Sequence, residues 1–399
     1  MIYKYKAITK NGEPIEGFFE ASNESDVLTM LKGNNYLPVS VERDVGADAQ
    51  VSLFPTKVKK KDLAVFCRQF YTMVDAGIGI VKCFDILEAQ TRNKTLKKAI
   101  GAIYEDVQKG FTISEAMKKH TKIFPTILIN MIEAGEVSGT LDSILERMAN
   151  HFEQENKLEN KIKSSLIYPI SLIVVSIAVV IFMLVAVLPT FVGMFEGSGV
   201  ALPWPTQFVL DLSSWLQKYW YIFLGVVIII VGGFLYFRST VEGRKFIDGL
   251  KIKIPGIRVT NAKIITSRFT RTLSTLMASG IPLLQALEVV GKVLNNTVVQ
   301  ARLMDSMDGI RRGASLSRAV KAMEIFPPMV DSMISIGEES GALDDILAKT
   351  ADFYDDEVEM SLQRMTTLIE PILLVGMAVV IGFIVIAMAM PMFDMVNTI

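Results

Sequence analysis

The sequence predicts a mainly α polytopic membrane protein, in which two duplicated helical bundles alternate with membrane spans behind a small N-terminal α/β unit. Its composition, an internal repeat and three apolar segments predict this class. Of the 399 residues, 51% are hydrophobic and 21% are charged, and the mean hydropathy is +0.39. That is too apolar for a soluble protein and too charged for one immersed in lipid, so large water-facing parts are expected. The net charge of -1 gives no indication of a nucleic-acid partner.

An internal repeat organises the chain. The segment that begins at Phe124-Pro125 recurs 202 residues later at Phe326-Pro327, and the same offset pairs the motif 135–139 with the motif 337–341. Upstream of this segment the offset is 203, because the second copy lacks one residue of a loop. A constant offset over such a distance indicates that one soluble module with one membrane helix was duplicated.

Residues 1–45 are predicted to form the small α/β unit, with two strands joined at an Asn11-Gly12 turn, a short helix and a third strand. Residues 46–60 have neither helical nor strand periodicity and are predicted to be a linker. Apolar residues at three- and four-residue spacing then predict a helical bundle over residues 61–164, and residues 238–368 repeat its plan.

Proline and glycine positions predict the boundaries of individual helices in the first bundle. Pro125 is expected in the first turn of one helix. No proline or glycine occurs between Thr140 and Tyr168, so the last helix of this bundle is expected to run unbroken into the membrane. Glu370 stands where Tyr168 stands in the other copy, at the cytoplasmic edge of the last span.

Three segments are predicted to cross a membrane, and none carries a charge in its middle. Prolines 20 residues apart frame the first and third, and such a helix spans about 30 Å, the hydrocarbon thickness of a bilayer. Lys218 is the single basic residue between the first two spans, whereas many follow Phe237. By the positive-inside rule the N-terminus and both bundles are cytoplasmic and the C-terminus is outside. The predicted segments are 165–190 (first span), 191–220 (external loop), 221–237 (second span), 369–393 (third span) and 394–399 (external tail).

The repeated Gly-Glu-x-Ser-Gly motif is the strongest candidate for a specific role, as a hinge or a partner contact. The favoured interpretation is a tight corner, in which Gly135 or Gly139 adopts positive φ and Ser138 or Thr140 caps the next helix. Alternatively, the acidic residues face a partner or hold a hard cation between the bundles. The candidate residues are Gly135, Glu136, Ser138, Gly139 and Asp142 in the first copy and Gly337, Glu338, Ser340, Gly341 and Asp344 in the second.

Arg68 and Arg271 occupy matching positions on otherwise apolar helices, one in each copy. The simpler interpretation is an ion pair within each bundle that fixes its geometry. A contact surface for a partner protein is the alternative.

Several kinds of active site are missing from the sequence. It has no Gly-x-x-x-x-Gly-Lys-[Ser/Thr] motif for ATP phosphates and no His-Glu-x-x-His zinc motif. His120 and His151 stand alone and are expected at the surface, whereas Cys67 and Cys83 are expected to be core residues rather than a disulfide. We therefore expect no enzymatic activity, no metal and no cofactor. A small-solute membrane permease is the alternative function, although the spans lack the charges that ion or proton pathways usually need.

The order of these motifs resembles the PilC/GspF family, the polytopic platform proteins of type IV pilus and type II secretion machines. The residues that carry the resemblance are Tyr3-Lys4-Tyr5-Lys6-Ala7, the helix start Lys61-Asp62-Leu63-Ala64-Val65-Phe66, Ala76-Gly77-Ile78 with its repeat Ser279-Gly280-Ile281, both Gly-Glu-x-Ser-Gly motifs, Leu202-Pro203-x-x-Thr206 and Ile254-Pro255-Gly256.

The resemblance implies two antiparallel six-helix cytoplasmic bundles and three transmembrane helices in the inner membrane. It also implies several partners: a hexameric assembly ATPase, pilin or pseudopilin subunits, other membrane assembly proteins and further copies of the chain in a homo-oligomer such as a dimer. In such machines, motion of the ATPase would turn or shift the platform and help to lift pilins from the bilayer into a filament.

Overall fold

The computed structural model describes residues 2–8, 14–20, 24–33, 36–43, 56–193, 203–294 and 296–396. The chain divides into two compact units, Met1–Lys57 and Val58–Ile399. The predicted Asn11-Gly12 turn lies outside the described residues.

The N-terminal unit is a three-stranded antiparallel sheet with one helix. Its elements are β1 (Ile2–Ile8), β2 (Pro14–Glu20), α1 (Glu24–Gly33) and β3 (Leu37–Arg43). The strand order is β2-β1-β3, so the first strand lies in the middle. Val27 and Leu31, four residues apart on one face of α1, are fully buried with Ala7 of β1. This arrangement confirms the predicted α/β unit.

Six helices form the first bundle, and its aliphatic core contains a group of packed phenylalanines. They are α2 (Lys60–Asp75), α3 (Ile80–Gln90), α4 (Lys94–Gln108), α5 (Ile113–Lys118), α6 (Thr126–Ser138) and α7 (Leu141–Phe182). Phe66 of α2 packs on Phe124, with ring centroids 5.7 Å apart. Cys67 and Cys83 are buried and form no disulfide, as predicted. Pro125 precedes the first turn of α6 as its N-cap, which corrects its predicted position by one residue.

The second bundle repeats this plan after one additional helix, α10. Its elements are α10 (Val241–Lys253), α11 (Ile257–Ala278), α12 (Leu283–Val293), α13 (Thr297–Arg311), α14 (Leu316–Ala322), α15 (Pro328–Ser340) and α16 (Leu343–Val396). The backbone repeats as well as the sequence: φ is +77° at both Gly77 and Gly280 and +92° at both Gly110 and Gly313. Only glycine adopts these angles without strain, so the helix ends are specified identically in both copies.

Within the described residues, three helices are long and apolar enough to cross a membrane. The first is α7, which continues without a break through a π-helical turn (Met183–Val187) into α8 (Leu188–Gly193). The third is α16, which runs from the second bundle to Val396. The continuous helix predicted from Thr140 onward is therefore present in both copies.

The second spanning helix, α9 (Trp204–Ser239), corrects the predicted loop 191–220 because it begins inside it. Thr206, Val209 and Ser213 recur at helical spacing and are buried against the other two spans. The polar residues among them lower the hydropathy, and this concealed the helix from the sequence prediction. Its backbone departs from helical geometry at Tyr219 (φ -118°, ψ 20°), just before the predicted second span.

Candidate functional site

Glu136 and Glu338 are helix caps within their own bundles. The two carboxylate oxygens of Glu136 accept hydrogen bonds from the backbone N–H groups of Ile113 (2.5 Å) and Ser114 (3.1 Å), the first two residues of α5. Glu338 accepts the equivalent bonds at the start of α14, at 2.5 and 3.2 Å. The first N–H groups of a helix have no partner inside it, and a negative charge there also interacts favourably with the helix dipole. Each glutamate therefore fixes one short helix to the end of the next.

The motif is the end of a helix rather than a loop, and its two glycines have different roles. Residues 135–138 form the last turn of α6, and Gly139 follows with φ +73°. Gly135 is helical, but a Cβ there would lie 3.0 Å from Ile144 of α7, so it permits close packing of the two helices. The prediction that either glycine adopts positive φ therefore holds for the second alone, and Gly341 (φ +70°) repeats it.

Neither candidate side chain caps the following helix, which corrects the predicted role of Ser138 and Thr140. The Ser138 hydroxyl donates instead to the carbonyl of Ala134 at 2.7 Å, and Ser340 does the same to Ile336. Asp142 and its counterpart Asp344 do lie in the first turn of the long helices, where their charge suits the helix dipole. In the part of the chain that the structure describes, no group of three or more acidic, His or Cys side chains could hold a metal ion.

Arg68 and Arg271 both bind the long helix of their own bundle. Arg68 donates to Glu153 (2.9 Å) and Asn150 (2.6 Å) on α7. Arg271 donates to the equivalent residues on α16, Asp355 (2.6 Å) and Asp352 (2.8 Å). The hydrogen bond from Arg68 also lowers the pKa of Glu153. The predicted ion pair within each bundle is present, and a partner contact remains a proposal.

A buried polar cluster, which the sequence did not reveal, joins the two bundles. Glu155 of α7 is 4% exposed and forms ion pairs with Lys60 of its own bundle and, at 3.6 Å, with Arg268 of the second bundle. Burial raises the pKa of Glu155, but the charges of Arg268, Lys60 and His151 lower it more. We call the contact between α7 and α11 around the Glu155–Arg268 ion pair the seam.

His151 lies one helical turn before Glu155 in the seam and is 3% exposed, so its predicted surface position is wrong. Burial lowers the pKa of this histidine to about 4. Among the described atoms, His151 Nδ1 and Arg268 Nε have no hydrogen-bond partner. The repeat gave a partial signal for the cluster, since Lys60 and Glu155 have the counterparts Lys263 and Glu357, which are paired at 2.6 Å.

The seam uses the two copies unequally and leaves an equivalent surface open. On α11, Ile264 and Arg268 face α7 of the first bundle. The offset of 203 makes Lys61 and Val65 of α2 their counterparts, and both are exposed. They line a groove of about 310 Å³ together with Arg68 and Glu153. A surface that binds a helix in one copy is therefore not covered by any described residue in the other.

The long helices α7 and α16 are joined where they approach the membrane. The Lys161 Nζ atom lies 2.5 Å from Glu359 Oε2, and the Tyr168 hydroxyl donates to Glu370 at 3.1 Å. Tyr168 and Glu370 are counterparts in the repeat, so the pair lies where the copies meet. Leu158 packs with residues of α16 just before this crossing. These side-chain contacts hold α7 and α16 together next to the membrane spans.

Hydroxyl groups bind carbonyls that the helix prolines leave without a partner. Proline has no N–H, so it deprives a preceding carbonyl of its helical bond. Pro189 follows the π-helical turn, whose five-residue spacing assigns its missing bond to the carbonyl of Leu184, and Ser213 of α9 donates there at 2.6 Å. Pro391 deprives the carbonyl of Ala387, which accepts from Thr206 of α9.

The same arrangement occurs where the first span joins its bundle. Pro169 deprives the carbonyl of Ser165, and the Thr366 hydroxyl of α16 donates there at 3.3 Å. The prolines thus serve as docking points between helices, consistent with how broken backbone bonds are satisfied in membranes.

Comparisons with known proteins match both copies of the repeat. A family model described as "Type II secretion system (T2SS), protein F" matches residues 66–189 and 269–391. The chain belongs to the PilC/GspF family. The N-terminal domain model of the same family matches residues 1–42, so the family matches cover the α/β unit and both bundle-plus-span copies.

Relatives within the PilC/GspF family come from two kinds of machine. The chain is 37% identical to "Type IV pilus assembly protein PilC" of Myxococcus xanthus, covering all of this chain and 95% of the relative. It is 33% identical to the protein of that name from Thermus thermophilus (100% and 98%) and 32% identical to "Type II secretion system protein F" of Vibrio cholerae (99% and 98%).

Proposed function

We propose that this chain is the membrane platform of a type IV pilus or type II secretion-like machine, and that it couples a cytoplasmic assembly ATPase to insertion of pilin or pseudopilin subunits. Each bundle ends in a helix that continues into a membrane span, and this observation carries the proposal. A continuous helix transmits displacement that a loop would absorb. The role is non-enzymatic, because the partner ATPase supplies the hydrolysis.

In this proposal the three spans lie in the inner membrane, and both bundles and the N-terminus lie in the cytoplasm. The distribution of basic residues supports that topology. A cysteine introduced at Val137, which is 87% exposed, should be protected from a membrane-impermeant maleimide in intact cells, whereas one at Trp204 should react. Cys67 and Cys83 are buried and leave little background. Labelling of the Val137→Cys variant from outside would refute the topology.

The open groove on α2 is our candidate contact for the ATPase. It contains Arg68, exposes Val65, and corresponds to the surface with which α11 binds a helix. A photo-crosslinking residue at Val65 should capture the ATPase in membranes, whereas the same residue at Val81, exposed on α3 of the same bundle, should not. Equal capture at both sites would remove the groove from the proposal.

Pilin helices would meet the spans, whose apolar windows are almost entirely exposed.

Coupling through α7 can be tested without disturbing either the groove or the span. Asn160, Lys163 and Ser164 are exposed just before the first span. The triple glycine variant weakens the helix by about 1 kcal/mol per site relative to alanine, so the triple alanine variant is its matched control. The glycine variant should assemble several-fold fewer filaments, with equal membrane levels and equal recovery of ATPase and prepilin. Normal assembly by the glycine variant would contradict coupling through this helix.

Affinity purification from membranes separates the platform from a permease. Recovery of a hexameric ATPase with prepilins is expected. Solute flux through liposomes that contain this chain alone would contradict the proposal.

A further inference from the structure

Helix α10 is held between the end of the middle span and the second bundle. Thr240 turns the chain between α9 and α10, and its hydroxyl oxygen accepts from Gly243 N at 3.1 Å. A Cβ at Gly243 would lie 1.9 Å from the carbonyl oxygen of Phe237, so only glycine permits this approach. The ring of Phe246 lies edge-on to that of Phe237, with centroids 6.3 Å apart. One side of α10 therefore faces the end of the span.

The opposite side of α10 is bound to the bundle through Asp248. This carboxylate is 3% exposed and accepts from the backbone N–H (3.1 Å) and the hydroxyl (3.2 Å) of Thr297, at the start of α13. The Lys251 ammonium group donates a third hydrogen bond to this carboxylate, at 3.1 Å. Because the carboxylate side contacts the bundle, the orientation of α10 about its own axis is fixed.

On the side that faces the span, α10 exposes apolar residues. Gly243, Phe246 and Leu250 recur at three- and four-residue spacing, so they lie on one face. Phe246 is 62% exposed and Leu250 is 43% exposed. Because α10 directly follows the end of a candidate membrane span, this face would lie at the depth of the lipid headgroups when α9 crosses a bilayer.

Basic residues flank this apolar face. Arg244 and Lys251 lie on one flank and line a recess of about 120 Å³ with Arg238, the penultimate residue of α9. Lys245 is exposed on the other flank, and Lys253, seven residues after Phe246, is exposed at the C-terminal end of the apolar face. Asp248 and Lys251 neutralise each other, and Glu242 is the other acidic residue of the helix, so Arg244, Lys245 and Lys253 leave it positively charged overall.

We propose that α10 is a membrane-surface helix that binds anionic phospholipid headgroups, with Phe246 and Leu250 at the headgroup level and the flanking arginines and lysines on the phosphates. An apolar face with basic flanks is the pattern of helices that lie in the interface plane, and each basic residue adds attraction to an anionic leaflet. Free phosphate offers the same charge, but continuity with the span identifies lipid as the source. The proposal requires that α9 crosses the bilayer and does not depend on the ATPase.

Depth is tested with the full chain in nanodiscs of brominated phosphatidylglycerol. A bimane label on Leu250→Cys should be quenched by the lipid bromines, whereas a label on Lys97→Cys, exposed on α4, should not. Equal fluorescence of both labels, without quenching, would overturn the proposal.

The role of headgroup charge is tested by varying the ratio of phosphatidylglycerol to phosphatidylcholine in the nanodiscs. Preference for phosphatidylglycerol near the Leu250→Cys label should fall at least tenfold in K245Q/K253Q, which leaves the Asp248 contacts intact. The matched charge change K97Q/K98Q in the first bundle should leave the preference unchanged. Thermal unfolding midpoints equal to wild type establish that both variants fold. An unchanged preference in K245Q/K253Q, or loss of the wild-type preference when inorganic phosphate is added at equal ionic strength, would overturn the proposal.

Discussion

Glu338 illustrates, at the scale of single residues, how a motif can be conserved between two copies for a structural reason. Its carboxylate binds the N–H groups of Leu316 and Ser317, while the Ser315 hydroxyl accepts from the third N–H of the same helix at 3.4 Å. The equivalent set surrounds Glu136. The start of each short helix is therefore satisfied by side chains alone, without a neighbouring protein.

Removal of this cap should cost more than removal of the adjacent carboxylate. We expect E338A to lower the free energy of unfolding by about 1–2 kcal/mol, because two partly buried N–H groups lose their acceptor. The control E339A removes an exposed side chain that binds only Ser335 on its own helix, among the bonds described, and should cost a few tenths at most. Chemical unfolding in detergent compares them. Equal costs would mean that the cap contributes little.

His151 should make the protein sensitive to acid. Its folded pKa of about 4 lies below the ordinary value of 6.5 because of burial, and Lys60 and Arg271 oppose its protonation while Glu155 favours it. As pH falls, the unfolded chain therefore binds the proton first. The histidine contributes nothing above about pH 6.5, and the free energy of unfolding falls by up to about 3 kcal/mol as pH decreases to 4.

The variant H151F carries the residue found at the matching position, Phe353, and should lose this part of the acid sensitivity. The shift in unfolding midpoint between pH 7 and pH 4.5 should be smaller than in wild type. A wild-type shift in H151F would refute the assignment.

At the scale of elements, the prolines of the long helices matter through the carbonyls that they leave free. Ser213 is 2% exposed and donates to Leu184 across the helix interface, whereas the adjacent Ser214 donates within its own helix to Asp211. We expect S213A to reduce stability by about 1 kcal/mol, the size measured for hydrogen bonds between membrane helices, and S214A to have no measurable effect. Unfolding from mixed micelles measures both. A neutral S213A would show that the carbonyl finds another donor.

The elements that the sequence predicted correctly are those specified by local patterns. Periodicity predicted the helices, and the motif 135–139 predicted a helix end with positive φ at Gly135 or Gly139, because positive φ is a property of one residue; it occurs at Gly139. Helix α9 was shortened in the prediction because Thr206 and Ser213 are polar, although both are buried against other spans. Burial of a polar residue depends on a donor-acceptor pair between distant segments, and no local pattern contains that information.

At the scale of the whole molecule, the two copies of the repeat have the same order of helices, but they make different contacts. The bundles meet through α7 of one and α11 of the other, so His151 is buried while its counterpart Phe353 is 43% exposed. Near the membrane the arrangement becomes symmetrical, since Tyr168 pairs with its own counterpart, Glu370. The sequence predicted the duplication but not the seam, because the Glu155–Arg268 pair joins distant segments and no local pattern in either copy contains that pairing.

The Glu155–Arg268 pair should hold the bundles in one relative position. Breaking one member of a buried pair costs about 3–5 kcal/mol, because it strands the remaining charge, whereas replacing both with apolar residues is often neutral. Spin labels at Val137 and its counterpart Glu339, both exposed, report the separation of the bundles. The distance distribution should broaden in E155L, which strands Arg268, and narrow again in E155L/R268L. The control R271L breaks an ion pair inside the second bundle and should leave the distribution narrow. An unchanged width in E155L would mean that the Glu155–Arg268 pair does not fix the seam, and that apolar packing around Leu158 and the Lys161–Glu359 ion pair hold the bundles without it.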